Sequence, residues 1–244
     1  VEYFGRVYNI YFKHNLKKTL KNTDMILYNS EQTKRTTEIY FPEAKNIANV
    51  NAYIISNPIK KRWINMDENY FLYIGNMEKR KGVDLLIKGY LRYKELGGTR
   101  KLILGGKMQE EDINHLLMAA MAKDKDISYL DYVTHDKKHE LYSGMSAFVF
   151  PSKAEGFGMP IIEVMRFNKP IIASNLPIFD EITDGNINTF NLKCNEYEQI
   201  ENLAGIMSDF NDKVDEKAYA SVVKRYEPER LGRIVYDFIM SERG

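Results

Sequence analysis

Cysteine is almost absent from this chain: Cys194 stands alone among 244 residues. A single thiol excludes an internal disulfide and any thiolate metal cluster, which suits a reducing compartment. Neither sign of charge is in excess. With 35 Lys and Arg against 34 Asp and Glu, no global field draws the chain onto nucleic acid, and an anionic ligand has to be held by local groups. No apolar run reaches the roughly 18 residues of a membrane span, and VEYFGR does not read as a signal peptide. The expected location is therefore cytoplasmic. Repeats, low-complexity tracts and long charge blocks are missing as well. What remains, 44% hydrophobic and 28% charged residues, is the composition of a folded globular protein.

The first sixty residues do not make a complete domain. FKHNLKKTLKN, 12 to 22, predicts a helix with Phe12, Leu16 and Leu20 on one stripe and Lys13, Lys17, Lys18 and Lys21 around it. That basic face is expected to be solvated, and it also allows peripheral contact with anionic lipid. DMILY, 24 to 28, reads as a short strand, Ser30 as the N-cap of a helix through Tyr40, and NAYIISNPI, 51 to 59, as an extended exit. Two helices and two strands with no sheet to join need a partner.

From Tyr70 the pattern becomes regular. Strands YFLYIG (70–75), KLILGG (101–106), ISYLDYV (127–133), SAFVF (146–150), PIIAS (170–174) and NINTFNL (186–192) alternate with helical segments. Six strands so arranged predict an α/β, doubly wound, Rossmann-like parallel sheet with ligands at the carboxyl ends of the strands. A long helical tail follows, and YEPERLGRIVYDFIM, 226 to 240, is expected to pack as a final helix.

Two glycine-rich turns lie at strand ends. In IGNMEKRKGVD, 74 to 84, Gly75 and Gly82 shape the loop, and Arg80 and Lys81 put two cations just before a helix start, where phosphate oxygens are favoured. A solvated basic turn accounts for the same residues. The spacing is not GxGxxG, and KLILGGK closes the second strand without an acid, so a nicotinamide dehydrogenase fits poorly. The second turn lies in PSKAEGFGMPIIEVMRFNKPIIAS, 151 to 174. Gly156 and Gly158 let backbone N–H groups approach a ligand, and Pro160 suits the first residue of a helix whose N-terminus favours anionic oxygens. Glu155 and Glu163 flank the bend. Glu163 also reads as an ordinary first-turn residue and Glu155 as a loop carboxylate facing water, while the pair allows acid–base chemistry of the glycosidase kind. Their common rim with Arg80 and Lys81 favours a ligand that is both sugar and diphosphate. His135 and His139 lack a third metal ligand and read as surface histidines, as does His14, so no metal is expected.

EGFGMPIIE, with PS ahead of it and KPIIAS behind, resembles the EGFG-x-P-x-x-E signature of family-4 retaining glycosyltransferases of the GT-B fold. GNMEKRKGVDLLI, KLILGG, YLDYV and PIFDEI resemble further segments of that family in the same order. The likeness implies metal-independent transfer of a sugar from a nucleotide-diphosphate sugar, UDP- or GDP-linked, to a sugar, lipid or protein acceptor, with retention of configuration and no other cofactor. It implies that Glu155 holds hydroxyls of the transferred sugar and Glu163 those of the ribose. It also implies that the amides around Gly156, Phe157, Gly158 and Met159, with Gly75, meet the sugar and diphosphate, that Arg80 and Lys81 neutralise the leaving phosphates, and that Val133 borders the base.

Asn76 stands where many members have arginine, and Asp131 replaces a frequent glycine. By the same likeness residues 1–58 are the remnant of an N-terminal acceptor domain with its linker, 59–225 the donor-binding domain, and 226–244 a closing helix. The family's glycine-rich acceptor loop and acceptor-side histidine have no counterpart in residues 1–69, as expected of a fragment of a longer enzyme. A nucleotide-sugar epimerase on the same fold, a sugar phosphorylase and a non-catalytic nucleotide-sugar-binding module are the alternatives.

Overall fold

The computed structural model describes residues 6–52, 67–210 and 212–242. The chain divides into two compact units, Val1–Pro58 with Arg225–Gly244, and Ile59–Lys224.

The first unit opens with α1, Arg6–Leu20, which starts earlier than the run from Phe12 predicts. Tyr8 stacks on Phe12 with ring centroids 6.3 Å apart, so the i,i+4 stripe extends one turn towards the N-terminus. β1, Met25–Tyr28, leads to α2, Glu31–Tyr40, and the Ser30 hydroxyl accepts the Thr33 N–H at 3.0 Å as the expected N-cap. After a 3-10 turn comes β2, Ala48–Asn51. The strand expected at 24–28 finds a sheet after all: β1 pairs in parallel with β2, Met25 against Ala48, because α2 supplies the crossover, and β2 ends at Asn51, where the extended exit was expected to begin. Leu20, Phe41 and Ala44 form the small core beneath them. Of the extended exit read over 51–59, the part from Tyr53 lies outside the described residues.

In the second unit β3, Tyr70–Ile74, runs into α3, Val83–Glu95. Then follow β4, Lys101–Gly105; α4, Glu111–Lys123; β5, Ile127–Leu130; and α5, His135–Gly144. β6, Ala147–Phe150, α6, Met159–Met165, β7, Ile171–Ser174, α7, Pro177–Thr183, and β8, Asn188–Phe190, complete the alternation. The six strands are all parallel in the order β5-β4-β3-β6-β7-β8, which is the Rossmann arrangement with its reversal between β3 and β6. β6 and β7 are buried along their whole length, the physical reason their sequences run apolar without alternation.

The long tail is broken into three helices, α8, Glu196–Asp209, α9, Glu216–Arg225, and α10, Pro228–Ser241, the last assigned to the first unit. Asn195 opens α8 with a capping box closed by Glu198.

His139 corrects the reading of two surface histidines. Thr134 caps α5 as expected, but the helix turns His139, one turn on from His135, inward to 7% exposure, its ring 4.2 Å from His135 and 5.6 Å from Phe167. Burial, then the cationic neighbours His135 and Lys138, push the His139 pKa below its ordinary value against the opposing pull of Glu163 and Asp136. The unfolded chain therefore binds this proton at a higher pH than the folded one, and stability falls as pH drops through about 6.5. Acidification from about pH 7 to about pH 5 is expected to lower the melting temperature of the wild type more than that of His139→Phe; equal slopes in thermal denaturation would contradict this.

Candidate functional site

The reversal of strand order between β3 and β6 separates their outgoing connections and leaves a crevice at their carboxyl ends. Gly75 and Asn76 leave β3, and Pro151 to Glu155 leave β6. Between them, Gly82 sits at φ 69°, where a Cβ would lie 2.0 Å from the Pro151 carbonyl oxygen. Only glycine allows so close a backbone approach in that conformation. The loops are stitched together: Lys153 N–H donates to the Arg80 carbonyl at 2.9 Å, and Arg80 Nη1 donates to the Ala154 carbonyl at 3.1 Å.

That stitching brings three predicted residues together. Lys81 Nζ meets Glu155 Oε1 at 2.5 Å, and Ser152 Oγ donates to the same oxygen at 2.8 Å. With its side chain 9% exposed, Glu155 is not the water-facing loop carboxylate that its sequence position also allows. Lys81 lies over the Phe150 ring, 5.7 Å from its centroid. Arg80 Nη2 pairs with Glu78 at 2.6 Å, and Lys153 with Asp84 at 2.8 Å. The cations read from the sequence are thus matched by carboxylates at the rim, and what they present is directed N–H donors more than net charge. Burial, followed by the Glu155 and Glu78 carboxylates, drives the Tyr73 pKa up, so this hydroxyl stays protonated and donates to the Asn76 carbonyl at 2.8 Å. Asn76 itself is exposed.

Gly75 N–H donates to the Gly105 carbonyl at 2.9 Å. Val133 packs over Gly105, its Cγ2 only 2.7 Å from where a Cβ would stand there, so both predicted residues sit at the ends of the β3–β4 pair. Gly156 is exposed, Phe157 buried and Met159 39% exposed. Gly158, at φ 106°, is the N-cap of α6, which begins at Met159 and not at Pro160. Glu163 consequently falls beyond the first turn, a correction to its reading as a first-turn residue.

Glu163 belongs to a second cluster. Lys138 Nζ reaches its two oxygens at 2.9 and 3.0 Å, and the Tyr142 hydroxyl donates to Oε2 at 3.0 Å. Burial and then Glu163 push the Tyr142 pKa well above its ordinary value, which keeps the phenol a donor. Lys138, Tyr142, Ser152 and Glu78 carry no role in the sequence reading, although Ser152 and Glu78 lie within its two glycine-rich turns. The i,i+4 spacing of Lys138 and Tyr142 on α5 was a usable signal for one face, but nothing local aims that face at α6. Among the described residues no group of three or more His, Cys, Asp or Glu is placed to hold a metal, and no helix is long and apolar enough to cross a membrane.

Against known proteins, the family described as Glycosyl transferases group 1 matches residues 56–221. The O-antigen chain mannosyltransferase RfbU of Salmonella typhimurium is 29% identical over 97% of this chain and 65% of its own length. The O-antigen chain mannosyltransferase B of Escherichia coli is 35% identical over 51% of this chain and 33% of its own. The chain thus spans about a third to two thirds of these relatives. Among solved structures, the pneumococcal O-GlcNAc transferase GtfA with UDP and GlcNAc superposes with a TM-score of 0.74 at 12% identity, over 95% of this chain and 47% of that one. HepE from Anabaena, solved with UDP and glucose, gives 0.73 at 15% identity over 98% and 68%. The α/β, Rossmann-like sheet expected from the sequence is the one found in GT-B glycosyltransferase structures.

Gly82→Ala is expected to cost about 2–3 kcal/mol of unfolding free energy, because the methyl meets backbone and the left-handed conformation is strained for alanine. Urea denaturation of the variant checks this; an unchanged midpoint would show that the two loops are not held together at this position.

Proposed function

This chain belongs to the glycosyl transferases group 1 family, and we propose that it is the donor-binding half of a family-4, retaining enzyme that moves a hexose from a nucleotide-diphosphate sugar to an acceptor. The observation that carries this is the convergence of Arg80, Lys81 and Glu155 at the crevice between β3 and β6, where such folds bind nucleotides. The names of the relatives support a polysaccharide of the O-antigen kind as the acceptor and mannose as one candidate sugar.

In this reading Glu155 accepts hydrogen bonds from hydroxyls of the transferred sugar and Glu163 from the ribose. Gly75 and the amides of Gly156, Phe157, Gly158 and Met159 approach the sugar and diphosphate, Asn76 lines the phosphate side, and Val133 borders the base. Cleavage of the glycosidic bond leaves negative charge on the diphosphate. Lys81 has three N–H donors and gives one to Glu155; Arg80 has five and gives Nη1 to Ala154 and Nη2 to Glu78. The donors left over stabilise the leaving group without reorganising, which is why no divalent metal is needed. Retention follows if the acceptor attacks from the face the diphosphate leaves, with a donor phosphate oxygen taking the acceptor proton. Because the chain spans only part of its relatives, nucleotide-sugar binding without transfer is the second reading for these residues alone.

Thermal shift with GDP-mannose, UDP-glucose, UDP-GlcNAc and ADP-glucose, each with and without EDTA, tests the donor site. One of them is expected to raise the melting temperature equally in both conditions; no shift at millimolar donor would overturn the reading. Glu163→Ala is expected to weaken free-nucleotide binding about tenfold, whereas Glu155→Ala weakens the sugar nucleotide and spares the free nucleotide. Calorimetric titration separates the two, and equal losses would contradict the division of roles.

A further inference from the structure

Two donors converge on one oxygen of Glu155. Ser152 Oγ and Lys81 Nζ both meet Oε1, and among the described residues no donor reaches Oε2. Glu163 is held differently, since Lys138 touches both of its oxygens. An ammonium facing a carboxylate alone is free to straddle it; at Glu155 the second donor turns the group so that the lysine takes one side only.

Ser152 is itself fixed. It is fully buried directly after β6, and Ser174, fully buried at the end of β7, donates to the Ser152 carbonyl at 2.5 Å. A buried hydroxyl needs an acceptor but not a charged one: Thr183 satisfies its own on the Phe179 carbonyl one turn back, at 2.6 Å. Ser152 instead reaches three residues ahead to a carboxylate that the Gly82–Pro151 approach holds beside Lys81.

From this geometry we infer that Ser152 is a positioning residue: it loads Oε1 of Glu155 and leaves Oε2 as the acceptor that faces a sugar hydroxyl of the donor. The inference rests on the donor-site reading above and names the atom that reads the sugar. Loss of the hydroxyl removes one of the two donors that fix Oε1 and frees the Glu155 carboxylate to rotate about its own side chain, so sugar recognition weakens while Lys81 and the nucleotide half of the site keep their places.

The test is calorimetric titration of wild type, Ser152→Ala and Ser152→Thr with UDP, UDP-glucose, GDP, GDP-mannose, ADP and ADP-glucose, with the melting temperature of each variant recorded. For the base that the wild type binds, Ser152→Ala is expected to raise the ratio of sugar-nucleotide Kd to free-nucleotide Kd about tenfold, with the free-nucleotide Kd within about twofold of wild type. Ser152→Thr, which keeps a hydroxyl, restores at least half of the change. An unaltered ratio in Ser152→Ala, or parallel losses for nucleotide and sugar nucleotide, would overturn the positioning role while the donor site stands. If the wild type binds none of these nucleotides, the donor site falls and this role with it.

Discussion

The ion pair between Lys81 and Glu155 joins residues 74 positions apart and ties the loop that leaves β3 to the loop that leaves β6. Removing both groups from water is costly, and a pair of this kind persists only where geometry and further hydrogen bonds offset the desolvation. Here the offset comes from Ser152 on the same carboxylate oxygen, from the Phe150 ring beside the ammonium, and from the two backbone links through Arg80 and Lys153. These contacts lie beside the one place where Gly82 lets the two backbones meet. The crevice is therefore a consequence of one tight approach at the point where the sheet reverses direction.

Charge at this rim is arranged, not accumulated. Arg80, Lys81 and Lys153 are balanced by Glu78, Glu155 and Asp84, so the site has little net field to attract an anion from a distance. What it has is orientation: N–H groups and a carboxylate oxygen held at set positions in a partly dry cleft. Fixed dipoles of this sort act on charge that develops during bond cleavage, where reorganisation would otherwise cost most.

Glu163 shows how a second side-chain cluster is built from a different element. α5 brings Lys138 and Tyr142 to it, and the same helix buries His139. One ten-residue helix thus carries both the partners of Glu163 and a protonation-sensitive histidine of the core.

Much of the fold was legible locally. Apolar runs between helical segments marked the central strands β3, β6 and β7 most plainly, because strands buried on both faces have no polar side to alternate with, whereas β5 and β8, at the edges of the sheet, keep polar positions. Glycine, proline and paired glutamates marked the turn around 151–163, and the cations at 80 and 81 marked its neighbour, since those residue types are what close backbone approach and anion contact require. Less was legible where partners come from elsewhere in the chain. The pairing of β1 with β2 and the burial of His139 each depend on contacts that no local window contains. The sequence by itself determined which elements form and which side chains stand at their ends, through hydrophobic period and turn chemistry. Only the tertiary structure decided that Lys81 faces Glu155, that Lys138 and Tyr142 hold Glu163, and that Oε2 of Glu155 is left open, because each is a contact between loops or helices brought together by strand order.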